Sequence, residues 1–225
     1  MDSANLFASF FERNLQKDQI IISPAIEIKF FSRPKILKKT TNLIFTSSNG
    51  VKAAGQAVND NIRAICVGDR TTSLASSLGY SAEKYGDNVE QLIKKLCLSK
   101  KIEGDILHIR GKYTKVDLMN RLREAGFLCH EWEGYDQIAK NLSFQALNAF
   151  KNGEKIILPI FSERSGRLLK DQIPNFDKSH IIAISSAVAN VFLDVSPASI
   201  SEAQTPDLVG MRSSTKTVLE NAHLE

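Results

Sequence analysis

Apolar residues along the chain fall into two rhythms. Short runs dense in Ile, Leu, Val and Phe recur as NLIFT (42–46), AICVG (64–68), DILHIRG (105–111), FLCHEW (127–132), KIILPIF (155–161) and HIIAIS (180–185). Their length and apolar character predict strands. Between them lie stretches with apolar residues three and four apart. One is DNVEQLIKKLCL, where Asp87 and Glu90 are expected to form a capping box. Another is TKVDLMNRLREAGF, with Thr114 as cap and Gly126 as terminator. A last helix is expected at TPDL, with Thr205 as cap and Pro206 in its first position. Strand and helix therefore alternate, which predicts an α/β fold with parallel sheets.

The order IFTSSNGV then ICVGDRTTSLAS is echoed later by LPIFSERSG then IIAISSAVANVF. Two similar lobes follow, each a small parallel sheet flanked by helices, joined by a two-stranded hinge with a cleft between them. The chain is expected to cross at SPAIEI (23–28) and EWEGYDQIAKN (131–141). That gives a discontinuous lobe of residues 1–25 plus 138–225, a middle lobe of 26–132, and a linker at 133–137.

Composition narrows the function classes. With 225 residues, 43% hydrophobic and 24% charged, the chain can bury a substantial core. No apolar run approaches the roughly 18 residues of a membrane span, and Asp2, Asn5 and Glu12 stand where a signal peptide needs a basic start, so a cytoplasmic protein is expected. Cys66, Cys97 and Cys129 are widely spaced within apolar runs and read as buried free thiols. Residues 26–134 hold 18 Lys/Arg against 12 Asp/Glu, a charge of +6, while the remainder holds 11 against 13, or −2. The bias favours an acidic ligand, and an ordinary mixed surface would carry it equally well. The basic residues are dispersed and no aromatic-rich sheet motif accompanies them, so no nucleic-acid partner is expected. His108, His130, His180 and His223 lack ligand spacing, and no metal is expected. No G-x-S-x-G elbow supports a serine hydrolase.

Two segments carry candidate chemistry. In IFTSSNGV a strand gives way at once to a helix, leaving backbone N–H groups unpaired at its first turn. Ser47, Ser48 and Asn49 could add donors, and Gly50 would let a ligand approach the backbone. Simple N-capping by Ser47 or Ser48 accounts for the same residues. In ICVGDRTTSLASSLGY, Gly68 closes the strand, Arg70 supplies a cation, and Thr71, Thr72 and Ser73 open the helix. A carboxylate or phosphate would suit it, as would a cap beside an exposed arginine. Neither segment has Walker A or G-x-G-x-x-G spacing.

These segments resemble uroporphyrinogen-III synthase. FTSSNGV is similar to that family's Phe-Thr-Ser-Pro motif, and CVGDRTTSLASSLGY to its Val-Gly-x-x-Thr-Ala-x-x-Leu-x-x-x-Gly. GDNVEQLIKKL, ILHIRGKYTKVDLMNRLREAGF, GYDQ and ISEAQTPDLV continue the series in order, so the resemblance spans about residues 20–222. It implies conversion of linear hydroxymethylbilane to uroporphyrinogen III, with loss of water, inversion of the last pyrrole ring and closure of the macrocycle, by a monomer without metal or cofactor. Carboxylate-gripping turns suit a substrate bearing acetate and propionate arms. Tyr135, in the linker motif, is implied as the group that protonates or hydrogen-bonds the departing hydroxyl; a phenol is a weak acid at neutral pH, so its loss need not abolish turnover. Ser47, Ser48, Gly68, Thr71 and Thr72 in the middle lobe, and Ser162 in the other, are implied as substrate contacts, with Arg110 beside Gly111 and Lys112 in a basic turn.

Two features depart from the pattern. ISSAVANVF stands where the family has Ile-Gly-Pro-Thr-Thr-Ala, so Ala187 and Val188 replace both threonines. Ser185, Ser186 and the backbone N–H of Ala187 are left to grip a carboxylate. The family also opens with a strand ending in arginine, whereas Met1 leads almost directly into FASFFERNLQ. The rival from another class is a bilobal binding or sensor protein that closes on a polycarboxylate without chemistry.

Overall fold

The computed structural model describes residues 3–13, 15–16, 19–35, 40–58, 61–99, 102–113 and 117–222. In chain order the elements are α1 (Ser3–Ala8), β1 (Ile26–Phe30), β2 (Asn42–Phe45), α2 (Ser48–Ala54), β3 (Arg63–Val67), α3 (Asp69–Ser77), β4 (Ser81–Gly86), α4 (Val89–Ser99), β5 (Ile106–Gly111) and α5 (Leu118–Glu124). They continue with β6 (Cys129–Ala139), α6 (Phe144–Lys151), β7 (Ile156–Ile160), α7 (Glu163–Lys170), β8 (Ser179–Ala183), α8 (Ser186–Ala189), β9 (Ser199–Glu202) and α9 (Leu208–Ala222). Each apolar run of the sequence became a strand. The polar strands β4 and β9 carried no such signal. The backbone divides into two compact units, residues 28–138 and residues 1–27 with 139–225.

The sheet of the 28–138 unit has the order β1-β6-β5-β2-β3-β4. Strand β2 sits inside it, parallel to β3 and β5, with Ile44 opposite Ile65 on one side and His108 on the other. Its Leu43, Ile44 and Phe45 are wholly buried because helices cover both faces. Leu43 and Phe45 pack with Val51, Ala53, Ala54 and Ala75 of α2 and α3, and Ile44 with Leu92, Leu96, Leu118 and Leu122 of α4 and α5. Each such side chain contributes roughly 1.5–3 kcal/mol of apolar burial. From β2 the chain goes outward to β3 and β4, then returns to β5 and β6 on the opposite side. The connections thus diverge between β2 and β5, and ligands of such sheets bind beyond the strands' carboxyl ends at that divergence.

The segment 131–141, where the chain is expected to cross, lies almost wholly within β6, an eleven-residue strand. Phe31 N–H donates to Gly134 O (2.9 Å) and Lys140 N–H to Ala25 O (2.8 Å), so β1 runs antiparallel to β6.

In the other unit β7, β8 and β9 form a three-stranded parallel sheet. One core gathers Phe150, Phe176, Ile181, Val188 and Phe192, and a second joins Phe7 and Phe11 to Ile182, Ala203 and Met211. Among the described residues no strand precedes β1. Helix α1 lies there, tied by the Arg212 guanidinium donating to Leu6 O (2.6 Å).

Helix caps differ from those expected. Asn88, not Asp87, accepts the Gln91 N–H (3.0 Å), while the Gln91 side chain returns to Asp87 N–H (2.8 Å) and Glu90 pairs with Arg121. Asn88 caps in place of Asp87, and the Gln91 side chain satisfies the N–H one residue before the cap. Thr114 lies outside the described residues, and α5 is capped by Asp117, whose side chain accepts from Asn120 N–H. Asp207 rather than Thr205 caps α9, accepting from Gly210 N–H (2.8 Å) and from the Thr205 hydroxyl (3.0 Å). In each case a side-chain amide or carboxylate oxygen one or more residues nearer the helix took the role. Gly126 follows the end of α5 with φ 88°, the left-handed conformation expected of a terminator. Cys66 and Cys129 are buried, but Cys97 is exposed, one position off the Leu92–Ile93–Leu96 stripe of α4. Burial pushes the Cys66 thiol up to about 11 and leaves it inert.

Candidate functional site

Three strand-to-helix turns share one geometry. Ser47, Ser162 and Ser185 each precede a helix in extended conformation, with φ of −154°, −161° and −160°. Extended backbone at the cap turns the chain into the helix and leaves the first N–H groups pointing outward. Ser47 Oγ accepts from Gly50 N–H (3.3 Å) and Ser162 Oγ from Ser165 N–H (3.1 Å), so capping is real at both. Ser162 also shares a 2.7 Å hydrogen bond with the Ser165 hydroxyl. Ser185 makes no side-chain capping bond.

In the 28–138 unit, Ser47 does more than cap. Its Oγ lies 2.9 Å from the Tyr135 hydroxyl, joining the end of β2 to the middle of β6 across the intervening β5. The Tyr135 ring is 7% exposed and is packed onto Gly111, where an added Cβ would lie 2.8 Å from it. Phe30 meets the same ring edge-on at 6.5 Å. Glycine at 111 is what admits the ring. Ser48 occupies the first helical position, half-buried. Gly50 was expected to admit a ligand; its open side instead faces β5, with Ile109 O 2.7 Å from where a Cβ would be. It serves helix-to-strand packing.

The β3–α3 turn is built differently. Gly68 adopts φ 78°, where side chains are strained, and nothing lies within 4 Å of its missing Cβ. Thr71 is buried at the third helical position, while the Thr72 hydroxyl donates back to Gly68 O (2.9 Å). Asp69, at the first position, would oppose an incoming anion, but Lys84 Nζ holds it at 2.8 Å.

Arg110 is committed within the protein. Its guanidinium meets Glu131 at 3.0 Å and Glu133 at 3.1 Å, and donates to Gly111 O (3.0 Å) and Lys112 O (3.3 Å). Glu131, foremost, holds its charge, and the arginine in turn holds the Glu131 carboxyl below the usual range. It braces the β5 end beneath Tyr135 and presents no spare fork to a carboxylate.

In the other unit, α8 is a single turn of four residues running into a 3-10 turn at Asn190–Phe192. Ser186 and Ala187 are exposed, whereas Val188 is 2% exposed and belongs to the core. The second of the two substituted positions therefore faces inward.

Thr46 and His108 had no functional role assigned from the sequence. The Thr46 hydroxyl is 3.3 Å from His108 Nε2, and burial pulls that imidazole down to about 4, so it is neutral. Period-two alternation in DILHIRG, which puts a histidine on the face of Ile106, was the available signal. His130 pairs with Asp105 (3.1 Å), His180 with the Ser199 hydroxyl (2.9 Å), and His223 lies outside the described residues. Among the described residues no three His, Cys, Asp or Glu side chains are grouped to hold a metal. No described helix is long and apolar enough to cross a membrane.

Comparison with known proteins bears on this arrangement. The chain is similar in fold to uroporphyrinogen-III synthetase from Helicobacter pylori, at 18% identity and TM-score 0.65, over 86% of this chain and 91% of that one. It is also similar to a mutant uroporphyrinogen III synthase from the extremely thermophilic bacterium Thermus thermophilus, at 12% identity and TM-score 0.55, over 97% and 95%. No curated protein sequence matches it significantly. The family profile described as uroporphyrinogen-III synthase HemD matches residues 17–211, and with most of the chain covered and the parallel sheets in place, the chain belongs to the uroporphyrinogen-III synthase family, lyases of tetrapyrrole biosynthesis.

Proposed function

We propose that this enzyme cyclises hydroxymethylbilane to uroporphyrinogen III with Tyr135 as the proton donor and Ser47 as its partner. The observation that carries the reading is the 2.9 Å contact between the two hydroxyls. Ser47 Oγ accepts from Gly50 N–H, so its own hydrogen is available to the Tyr135 oxygen. The phenol hydrogen is then directed outward. Transfer of that proton to the substrate hydroxyl releases water and leaves an azafulvenium cation and a phenolate held by Ser47. The substituted α-carbon of the last pyrrole attacks the cation to form a spiro intermediate, and that carbon's old bond to its methylene breaks. The methylene re-bonds at the ring's free α-carbon, and the phenolate recovers the proton which that carbon releases. Proton and oxygen balance, and the net change is loss of one water.

The first turns of α2 and α3 supply backbone N–H groups for acetate and propionate arms, with Ser48 and Thr71 beside them. The Ser162 and Ser185 turns give the other unit its own hydrogen-bond donors for carboxylates, the second relying on backbone N–H because Ala187 brings no hydroxyl. Gly68 keeps its turn open to a ligand. Arg110 acts here by bracing β5 rather than by touching substrate. A cytoplasmic monomer fits this chemistry. Supplying hydroxymethylbilane to the purified protein and separating the product isomers tests the reading: uroporphyrinogen III is expected, and formation of the spontaneous type I isomer alone would leave a non-catalytic polycarboxylate binder.

A further inference from the structure

We propose that His108 is a positioning residue that holds the Thr46 hydroxyl and thereby fixes the turn from which Ser47 reaches Tyr135. The inference rests on the proton-donor reading above and adds a layer beneath it.

His108 is 3% exposed, on the sheet face it shares with Ile44, Ile65 and Ile106. An imidazole on so apolar a face has a desolvation cost that a leucine would not. The only hydrogen bond its ring makes among the described residues is that from Nε2 to Thr46 Oγ1, at 3.3 Å; Nδ1 is buried without a partner. A buried bare lone pair costs less than a buried orphan N–H. The proton therefore sits on Nε2 and is donated to Thr46. The ring is kept neutral by burial, with Glu131 and Arg110 as opposing charges nearby.

Threonine is stiff about χ1 because Cβ carries two heavy atoms. Anchoring Oγ1 therefore anchors the backbone of residue 46, directly before the cap. Ser47 Oγ must meet Gly50 N–H and the Tyr135 hydroxyl together. A few tenths of an ångström of freedom at residue 46 would degrade both contacts.

The test uses four variants of the intact chain. Glutamine places an amide nitrogen near imidazole Nε2, and asparagine places one near Nδ1. H108N and T46V are expected to lower kcat about fivefold, the equivalent of one net hydrogen bond, with KM within twofold, and H108Q to recover most of that loss. The double variant T46V/H108N should be no worse than either single one. Amide hydrogen exchange at Gly50 and Val51 should quicken in T46V and H108N but not in H108Q. H108Q as impaired as H108N, or T46V matching the parent in both rate and exchange, would overturn the proposal. Should H108N fail to fold, T46V keeps the imidazole and decides alone. If the parent protein forms no type III product, the synthase reading fails, while exchange still reports whether His108 holds the turn.

Discussion

Replacing Tyr135 with phenylalanine removes one hydroxyl and leaves the ring on its Gly111 seat. The ring is already 7% exposed and edge-on to Phe30, so packing is unchanged. What is lost is one hydrogen bond to Ser47, which keeps its bond from Gly50 N–H. The stability cost is therefore about 0.5–1.5 kcal/mol, read as a fall of a few degrees in Tm. The cost to catalysis is set by a different quantity. A positioned acid contributes roughly 10²–10⁴ in rate, and a weakly acidic phenol belongs at or below the lower end. We expect kcat to drop about 10- to 100-fold, or about 1.4–2.8 kcal/mol of barrier, with uroporphyrinogen III still the product. Stopped-flow consumption of hydroxymethylbilane, at a temperature where both proteins are folded, measures it. Ser47→Ala should fall part of the way, and the double variant should be no slower than Tyr135→Phe, because Ser47 acts through the phenol. A kcat for Tyr135→Phe within twofold of the parent would falsify the proton-donor role.

Gly111→Ala should disturb the same seat from below, since its Cβ would meet the ring at 2.8 Å; a loss of about 1–3 kcal/mol in urea unfolding is expected, together with reduced kcat, and an unperturbed variant would show the ring is free to move. Gly68→Ala meets no atom but is strained at φ 78°, so about 1–2 kcal/mol of stability should be lost from backbone strain alone, with normal spectra of the folded state; no change in midpoint would contradict the left-handed turn. Ser162→Ala removes the α7 cap, costing about 1 kcal/mol by thermal melting, and no loss would mean the cap bond is idle. Acid should destabilise the fold through His108: its pKa lies at about 4 when folded against 6.5 for a free imidazole, so the unfolded chain binds the extra proton between those values. The contribution, roughly 3 kcal/mol at most, is complete above pH 6.5 and is lost as the pH falls toward 4. Unfolding titrations of H108Q should lack that slope, and an identical slope would assign it to other groups.

Much of this was readable from the chain because the physics is local. Six apolar runs declared six strands, although β6 and β7 are largely only partly buried, and the ordered series from FTSSNGV to TPDL declared the family. The polar strand β4, SAEKYG, was invisible because it lies at a sheet edge, where the partly exposed Ala82 and Lys84 alternate with the exposed Ser81 and Glu83. Caps slipped because Asp87, Asn88 and Glu90 all satisfy a spacing rule, and only the backbone decides which oxygen reaches a free N–H. At the site, Ser47 and Tyr135 were each legible as motif residues, but their contact joins positions 88 apart in sequence. Arg110 was named for its place in the family's basic turn, and its ion pairs with Glu131 and Glu133, brought alongside by the β5–β6 register, show only in the fold. His108 looked incidental because a lone histidine says nothing until its neighbouring strand is known.

The placement of α1 has a consequence for synthesis on the ribosome. Phe7 and Phe11 pack with Phe161, Ile182, Ala203 and Met211, and Leu6 is tied to Arg212, so the first helix completes its set of partners only when the last one exists. The 28–138 unit has every strand it pairs internally by the end of β6, and can close while α9 is still unmade. At about 5–20 residues per second, Phe7 and Phe11 wait on the order of ten seconds or more for the last part of their core. Through that interval the Phe7–Phe11 cluster lacks part of its apolar cover, which leaves it open to a holding chaperone or to association with other chains.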